Sequence, residues 1–353
     1  MSGMTKAFAG NFFEDFKLGA HIVHATPRTV TEGDRALYSG LAGSRFLLGY
    51  STQAERAVGY ADAPLDDVLV FHLVFGKSVP DISLNAVANL GYAECRFHRP
   101  VFAGDTLAAD SKVIGLRENS NGETGTVWVR TTGRNQQDEI VVDWVRWVMV
   151  NKRDKGAPAP GPSAPKLSPV VAPEHLIAPQ GIDFAKWSDA HSGSAARWDD
   201  YAVGERIDHV DGMTVEEAEH ATATRLYQNT AKVHFNQHLA GNTRFKRRLM
   251  YGGHVISTAR ALSFNGLGNA VLIGAINAGR HVAPCFAGDT VFAWSQVLDK
   301  AALDGRKDLG ALRLRTIATK NQPCDAFPGE IVSGKFDPAV ILDLDYWVFM
   351  PRR

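Results

Sequence analysis

The segment RFHRPVFAGDTLAA (residues 96–109) has a second copy in the same chain, RHVAPCFAGDTVFA (residues 280–293). The Arg, the Pro and the run FAGDT match at a constant offset of 184 (280 − 96). Nearer the amino terminus, FEDFKLG from Phe13 matches WDDYAVG from Trp198 at an offset of 185 (198 − 13). Because two distant matches share nearly one register, the sequence predicts two homologous units of similar size.

A Pro- and Ala-rich segment separates the two copies. It reads DKGAPAPGPSAPKLSPVVAPEH from Asp154 and has no apolar period, which predicts an extended, semi-rigid linker. We therefore divide the chain into an amino-terminal unit (1–153), a linker (154–179) and a carboxy-terminal unit (180–353). Duplicated halves usually reproduce a two-fold dimer. We expect the chain itself to form a homodimer or a higher homo-oligomer.

Each unit has the same predicted order of elements. A short helical stretch comes first (29–43 and 214–229), and the second unit then has a central apolar helix in GGHVISTARALSFNGL (252–267). Strands with period-two alternation follow, such as VWVRTTG (127–133) and IVVDWVRWVMV (140–150). Strands that follow one helix favour an antiparallel sheet packed on that helix. The predicted fold class is α+β, a double hot-dog, although Pro80 is expected to end the first unit's central helix early.

The composition excludes several classes of protein. Lys plus Arg and Asp plus Glu number 38 each, so the net charge is zero and a nucleic-acid partner is not expected. No apolar run is long enough for a membrane span, and residues 1–16 do not have the pattern of a signal peptide. Three cysteines without CxxC spacing argue against a disulfide framework or a metal site and fit a reducing cytoplasm. P-loop, GxGxxG, HExxH and GxSxG motifs are absent.

The two copies differ in one loop that carries a titratable group. At the offset of 185, YQNTAKVH (227–234) aligns with AGSRFLLG (42–49), so that His234 falls on Gly49 and Asn229 on Ser44. A neutral imidazole with a pKa of about 6.5 can serve as a general base near neutral pH. We predict that His234 is a catalytic residue and that the second unit is the catalytic half.

The FAGDT turn, the duplicated layout and the loop that ends in His before a helix resemble the MaoC-like (R)-specific enoyl-CoA hydratases (hydratase 2). The resemblance covers nearly the whole chain outside the linker. In that family the loop reads Gly-Asp-x-Asn-Pro-hydrophobic-His, and its Asp and His deliver water to a thioester-conjugated double bond. The family His falls on His234 and the family Asp on Asn229, while Gln228, Ala231 and Lys232 replace the family Gly, Asn and Pro.

The loss of the Asp changes the expected mechanism, because an amide cannot accept a proton as a carboxylate can. Asn229 would orient the water for His234 alone, or a carboxylate from elsewhere, for example Glu217 or Glu32, would handle the second proton. With a neutral imidazole as the base, we expect an acidic limb of the pH profile near the ordinary His pKa. YQNTAKVHFNQH and LMYGGHVISTARALSFNGL are most similar to the mesaconyl-CoA hydratase subgroup (2-methylfumaryl-CoA hydratase, in reverse β-methylmalyl-CoA dehydratase).

This resemblance implies further site residues. Water addition builds negative charge on the thioester oxygen, and free N–H groups at the start of the central helix, at Gly252 and Gly253, are suited to stabilise it. The predicted catalytic residues are His234, Asn229 and Gly253. The substrate's free carboxylate would meet a cation, and its CoA phosphates a basic cluster. The predicted substrate-binding residues are Arg45, Lys232, Gly252, His254, Arg244, Arg247 and Arg248.

The function expected from the resemblance is a hydro-lyase that converts mesaconyl-CoA reversibly to β-methylmalyl-CoA. The alternatives are a hydratase of ordinary (R)-3-hydroxyacyl-CoA substrates, a hot-dog acyl-CoA thioesterase and a non-catalytic CoA-binding protein. No metal or cofactor is expected, since coenzyme A is part of the substrate.

Overall fold

The computed structural model describes residues 6–353. The prediction that residues 1–16 are not a signal peptide therefore lies partly outside the described residues. In the first unit, a 3-10 turn (Phe13–Asp15) precedes three helices and six strands. The strands are β1 (His21–Val23), β2 (Arg28–Thr29), β3 (Ala86–Phe97), β4 (Thr106–Glu118), β5 (Thr124–Arg134) and β6 (Ile140–Asn151). The helices are α1 (Glu32–Ala42), α2 (Thr52–Val58) and α3 (Asp67–Ser78).

The remaining elements repeat this order with insertions. The helices are α4 (Asp189–Ser192), α5 (Glu217–Leu226), α6 (Lys232–Phe235), α7 (Gln237–Ala240), α8 (Gly252–Leu262) and α9 (Phe264–Leu267). The strands are β7 (Arg206–Thr214), β8 (Leu272–His281), β9 (Thr290–Ala302), β10 (Leu309–Lys320), β11 (Glu330–Val332), β12 (Lys335–Phe336) and β13 (Val340–Pro351). The starts of α1 and α5, and those of α3 and α8, keep the offset of 185 found in the sequence (217 − 32 and 252 − 67).

One antiparallel sheet runs through both units in the order β1-β4-β5-β6-β3-β8-β13-β10-β9-β7, with β2 paired to β4. Its two five-strand halves are equivalent, because each strand of the first half corresponds to one of the second. They join where β3 pairs antiparallel with its own counterpart β8, at Tyr92 opposite Gly279 and Arg96 opposite Ala275. The join therefore has the self-complementary character of a two-fold dimer interface.

The central helices α3 and α8 lie in one continuous core that both units build. Leu69, Phe71 and Val74 from α3 and Val255 and Ile256 from α8 belong to the same buried cluster. The prediction that Pro80 ends the first central helix early is wrong. Helix α3 is complete, and a π-helical turn (Val79–Ser83) that contains Pro80 continues it. Proline is tolerated there because it falls near the start of the new turn, where an N–H partner is not needed.

The linker makes hydrogen bonds to several strands of the sheet. Ser163 exchanges two backbone hydrogen bonds of 2.8 Å with Leu116 of β4. Further along, the Val171 N–H donates to Asn277 Oδ1 (2.8 Å), and the Trp347 Nε1–H donates to the Val171 carbonyl (3.0 Å). These contacts connect the linker to both halves of the sheet. Within residues 6–353, no helix combines the length and apolar character that a membrane span needs.

Candidate active site

A cavity of about 360 Å³ lies where the two units meet, beside the loop that carries His234. The first unit contributes Phe75, Asn89 and Arg146, and the second contributes His234 and Tyr251. Most of the wall is apolar. Among the described residues that line the cavity, none is an aspartate or a glutamate, whereas two are arginines and two are histidines. The cavity is thus suited to an anionic ligand with an apolar body.

His234 is held as a neutral imidazole with one nitrogen free. It lies on the short helix α6, and its Nδ1 is 2.9 Å from the carbonyl oxygen of Leu249. Since a carbonyl only accepts, Nδ1 carries the proton and Nε2 keeps its lone pair. Burial lowers the pKa of His234 to about 4, and the hydrogen bond to Leu249 opposes that shift. Nε2 is therefore a free proton acceptor throughout the neutral range.

Asn229 offers a hydrogen-bond donor to the cavity. Its Oδ1 accepts from the N–H of Ala231 (3.1 Å), which is the local turn expected of an Asn after a helix. Its Nδ2 is buried and has no partner among the described residues. A water molecule in the cavity could accept from Asn229 Nδ2 and donate to His234 Nε2, since both side chains line the wall.

The start of helix α8 supplies backbone donors next to these two side chains. Tyr251 is the N-cap and has no side-chain capping bond; its own N–H donates to His220 Nε2 (2.8 Å). Gly252 and Gly253 follow as the first helical residues, whose N–H groups have no partner inside a helix. Gly252 lines the cavity, and glycine is required there because a Cβ would come within 2.4 Å of the His281 ring. Gly253 packs instead against the rings of Tyr251 and His72.

A second imidazole, His281, faces the same cavity at the end of strand β8. Its ring lies directly beside Gly252, and its Nε2 is 3.4 Å from the hydroxyl of Tyr92. Burial lowers the pKa of His281 to about 4, and the neighbouring His234 contributes to the lowering. Two neutral imidazoles therefore flank the backbone donors of Gly252.

The equivalent place in the first unit is closed. At the offset of 185, Asp66 and Asp67 correspond to Tyr251 and Gly252, and the Asp66 carboxylate caps α3 by accepting from the Val68 N–H (2.8 Å). The side chain of Phe46 and the guanidinium of Arg260 fill the remaining space, with the Arg260 Cζ 3.5 Å from the Phe46 ring centroid. A cavity of only about 10 Å³ is left. Of the two central helices, α8 is therefore the one whose start faces open space.

The structure brings together only some of the residues predicted from the sequence. His234, Asn229, Gly252 and Arg244 line the cavity. Those outside its lining are Gly253, His254, Arg45, Lys232, Arg247 and Arg248. His254 is buried, and Lys232 is exposed and donates to Asn85 Oδ1 (2.8 Å).

The three arginines outside the lining have other contacts. Arg45 is exposed and stacks over Phe264, and Arg247 stacks over Phe286. Arg248 forms an ion pair with Glu217, so Glu217 is not a free carboxylate. Glu32 likewise pairs with Arg35, and neither glutamate lines the cavity. A carboxylate from Glu217 or Glu32 is therefore not available at the site.

Sequence reasoning missed six polar side chains of the cavity: Ser83, Asn89, Tyr92, Arg146, Tyr251 and His281. One of them had a signal of the kind that identified His234. His281 aligns with Phe97 at the offset of 184, so it too is a titratable group confined to one copy. Arg146 lies on a strand of the other unit, outside the two loops that align at His234.

Known proteins resemble this chain over its full length. The family model described as Mesaconyl-CoA hydratase matches residues 4–332. The chain is 60% identical over 348 residues to the beta-methylmalyl-CoA dehydratase of Chloroflexus aurantiacus (99% of both chains). It is 59% identical over 347 residues to the mesaconyl-CoA hydratase of Cereibacter sphaeroides (98% of this chain, 100% of the other).

Solved structures agree with the fold described above. A MaoC domain protein dehydratase from Chloroflexus aurantiacus superposes with a TM-score of 0.96 at 59% identity, over 99% of this chain and 100% of that one. A Mycobacterium tuberculosis protein with a double hotdog fold superposes with a TM-score of 0.78 at 25% identity, over 98% and 99% of the chains. The prediction of a double hot-dog is confirmed.

Proposed function

Because the chain belongs to the mesaconyl-CoA hydratase family, we propose that it is a hydro-lyase that adds water reversibly to mesaconyl-CoA to give β-methylmalyl-CoA. The observation that carries this proposal is the cavity itself. Within residues 6–353, it combines a neutral imidazole with a free nitrogen, an unpartnered amide donor and a helix start without a side-chain cap. In the reaction, the hydroxyl of water bonds to the carbon β to the thioester and a proton bonds to the α carbon.

His234 is the general base of this mechanism. Nε2 accepts a proton from a water molecule that Asn229 Nδ2 holds, and the water oxygen attacks the β carbon. General-base assistance of this kind contributes about 10²–10⁴ in rate. The α carbon then receives a proton, and the protonated His234 is the group that can return it. A single imidazole thus serves both proton transfers, which is consistent with a cavity wall without carboxylates among the described residues.

The thioester oxygen becomes negative as water adds, and the start of α8 stabilises it. The Gly252 N–H is free to donate, and the helix dipole adds a partial positive charge at the same place. His281 lies against Gly252 and is neutral, so it can donate a second hydrogen bond to that oxygen. When the Tyr92 hydroxyl donates to His281 Nε2, the proton of the His281 ring is on Nδ1, and Nδ1 is then the donor.

We expect His281→Phe, which installs the residue of the first copy, to lower kcat about 10- to 100-fold with little change in KM, because a donor aimed at developing charge acts mainly in the transition state. The measurement is steady-state hydration of mesaconyl-CoA. Wild-type kcat in a variant with an unchanged melting curve would remove His281 from the reaction.

The amide at position 229 matches the charge of the substrate. Mesaconyl-CoA carries its free carboxylate on the β carbon that water attacks, so an Asp at 229 would add a like charge there. We expect Asn229→Asp to lower kcat/KM for mesaconyl-CoA about tenfold more than for crotonyl-CoA, which lacks the carboxylate. Asn229→Ala is the control, since it removes the donor from both substrates alike. Equal losses on both substrates in the Asp variant would contradict this role.

The experiment that tests the function is the absorbance of the enoyl thioester during incubation with mesaconyl-CoA. Loss of absorbance without free thiol supports hydration. Loss with release of thiol would indicate a thioesterase, and no change would indicate a protein that only binds acyl-CoA. Faster turnover of crotonyl-CoA than of mesaconyl-CoA would favour the ordinary enoyl-CoA hydratase.

We propose that the reaction needs no cofactor, with coenzyme A entering as part of the substrate. The basic side chain of Arg244 at the cavity supports contact with the CoA phosphates. A cytoplasmic location and a homo-oligomeric state stay predictions.

A further inference from the structure

Arg146 is a buried cation without a counter-ion among the described residues. It lies on strand β6 with no exposed surface. Its Nη2 donates to Ser78 Oγ (2.8 Å) and its Nη1 to Ser83 Oγ (3.4 Å), while its Nε has no partner within residues 6–353. Both partners are neutral hydroxyls. Burial lowers the pKa of Arg146 to about 10, so the guanidinium is still charged at neutral pH.

The charge lies at the wall of the cavity that His234 lines. The guanidinium Cζ is 4.2 Å from the ring centroid of Phe75. Phe75 is 5.6 Å from Tyr251, and Tyr251 is 5.6 Å from His234, measured between ring centroids. All four side chains line the same cavity. The cation and the general base therefore both belong to the wall of one cavity.

Two residues of the second unit, Arg260 and Tyr346, can be compared with Arg146. Arg260 of α8 is nearly as buried; burial lowers its pKa, and the nearby Tyr346, Asp66 and Asp67 oppose that shift. The position that corresponds to Arg146 holds Tyr346, as DWVRWV (143–148) and DLDYWV (343–348) align at an offset of 200. Its hydroxyl is 3.0 Å from Thr316 Oγ1. The second half of the sheet therefore holds a neutral, hydrogen-bonded side chain at the position of the buried cation.

A buried charge without a counter-ion is costly for folding, and such residues are usually paired. An anion that enters the cavity would supply the missing partner. The phosphates of coenzyme A are poorly placed to be this anion. We expect them to contact Arg244 instead, which lines the cavity and is exposed. The acyl group of mesaconyl-CoA ends in a carboxylate, which a guanidinium binds through two parallel hydrogen bonds.

We infer that Arg146 binds the free carboxylate of the acyl group and selects dicarboxylic acyl-CoA thioesters. This inference rests on the proposed function for the identity of the acyl group. Asn89 lines the same cavity, and both of its amide atoms lack a partner among the described residues, so it can supply a further hydrogen bond to the carboxylate. Arg45 and Lys232, which the sequence suggested for this role, do not line the cavity.

The test uses saturated thioesters, which bind without reacting. Methylsuccinyl-CoA carries the carboxylate and isobutyryl-CoA lacks it. Titration calorimetry on the full chain should show that Arg146→Met weakens the binding of methylsuccinyl-CoA by at least about 30-fold. Removing one partner of a buried charge pair usually lowers affinity by at least this factor. Isobutyryl-CoA should change less than about threefold. Arg117→Met is the matched control, because Arg117 is exposed on strand β4 of the same sheet and does not line the cavity.

Equal losses for both thioesters, or no loss for methylsuccinyl-CoA, would overturn the inference. If Arg146→Met does not fold, Arg146→Gln, which keeps hydrogen-bond donors for Ser78 and Ser83 without the charge, is judged by the same two affinities. The hydration assay on wild-type protein is read separately. A wild type that binds methylsuccinyl-CoA through Arg146 but does not hydrate mesaconyl-CoA would refute the proposed function and leave the carboxylate site standing.

Discussion

His234→Ala should lower kcat for hydration of mesaconyl-CoA by about 10²–10⁴ while the protein stays folded. The imidazole is the group in the cavity with both a fixed tautomer and a free nitrogen, because Leu249 accepts its Nδ1–H at 2.9 Å. Alanine removes the acceptor and leaves the water held by Asn229 alone. Steady-state kinetics and a melting curve are the measurements.

Two controls separate a catalytic from a structural role of His234. His238→Ala changes an exposed imidazole on helix α7 and should retain wild-type kcat. Imidazole added to the His234→Ala variant should restore part of the rate, because the deletion leaves space for a free base. A variant with kcat near wild type, or a loss that follows a collapse of the melting temperature, would exclude His234 as the base.

The pH profile of the wild type carries the same prediction further. A general base acts only when unprotonated, and burial lowers the pKa of His234 to about 4. kcat/KM should therefore stay level from about pH 8 to about pH 5 and fall tenfold per unit below the pKa. The sequence alone suggested a limb near the ordinary imidazole pKa, and burial is the reason for the change. A limb near pH 6.5 would show that the base is solvated or is another group.

The comparison of the two copies predicted the fold and the centre of the site for a physical reason. Duplicated units must bury the same faces, so the shared register identifies the scaffold, and a residue that differs between copies at a loop is free to serve chemistry. That logic found His234 and Asn229. Applied to the second matched segment, it would have found His281, which stands where the first copy has Phe97.

The rest of the site depends on packing that no local pattern contains. The hairpin β11–β12 lengthens the connection to the last strand, so that the offset between β6 and β13 grows to 200 (340 − 140) and the fixed register of the duplication is lost. Arg146 and its counterpart Tyr346 fall beyond that break. Whether a buried arginine has a counter-ion is decided by neighbours from other strands and helices. Contacts with neighbouring elements likewise hold Arg45 and Lys232 outside the cavity.

Contact between the two units shapes the catalytic loop, and Gly76 allows the two backbones to approach closely. Gly76 lies in the interior of helix α3, where glycine normally destabilises a helix by about 1 kcal/mol relative to Ala. A Cβ at this position would be 1.7 Å from the carbonyl oxygen of Tyr227 and 3.1 Å from the carbonyl carbon of Gln228. These two residues lead directly into Asn229. The helix of the first unit therefore presses on the backbone of the loop that holds the water.

Gly76→Ala should destabilise the protein by about 3 kcal/mol, because overpacking against backbone cannot be relieved by a rotamer change and the favourable helix propensity of Ala is much smaller. The displaced loop should also lower kcat, since an error of about 1 Å in the position of a reacting group can lower the rate about 10²-fold.

Gly40→Ala is the matched control. Gly40 lies on helix α1, and a Cβ added to it would have no atom within 4 Å, so Ala there should stabilise by up to about 1 kcal/mol and leave kcat unchanged. Urea denaturation and hydration kinetics of both variants give the measurement. Equal stability of Gly76→Ala and wild type would show that α3 does not hold the loop, and the position of Asn229 would then need another support.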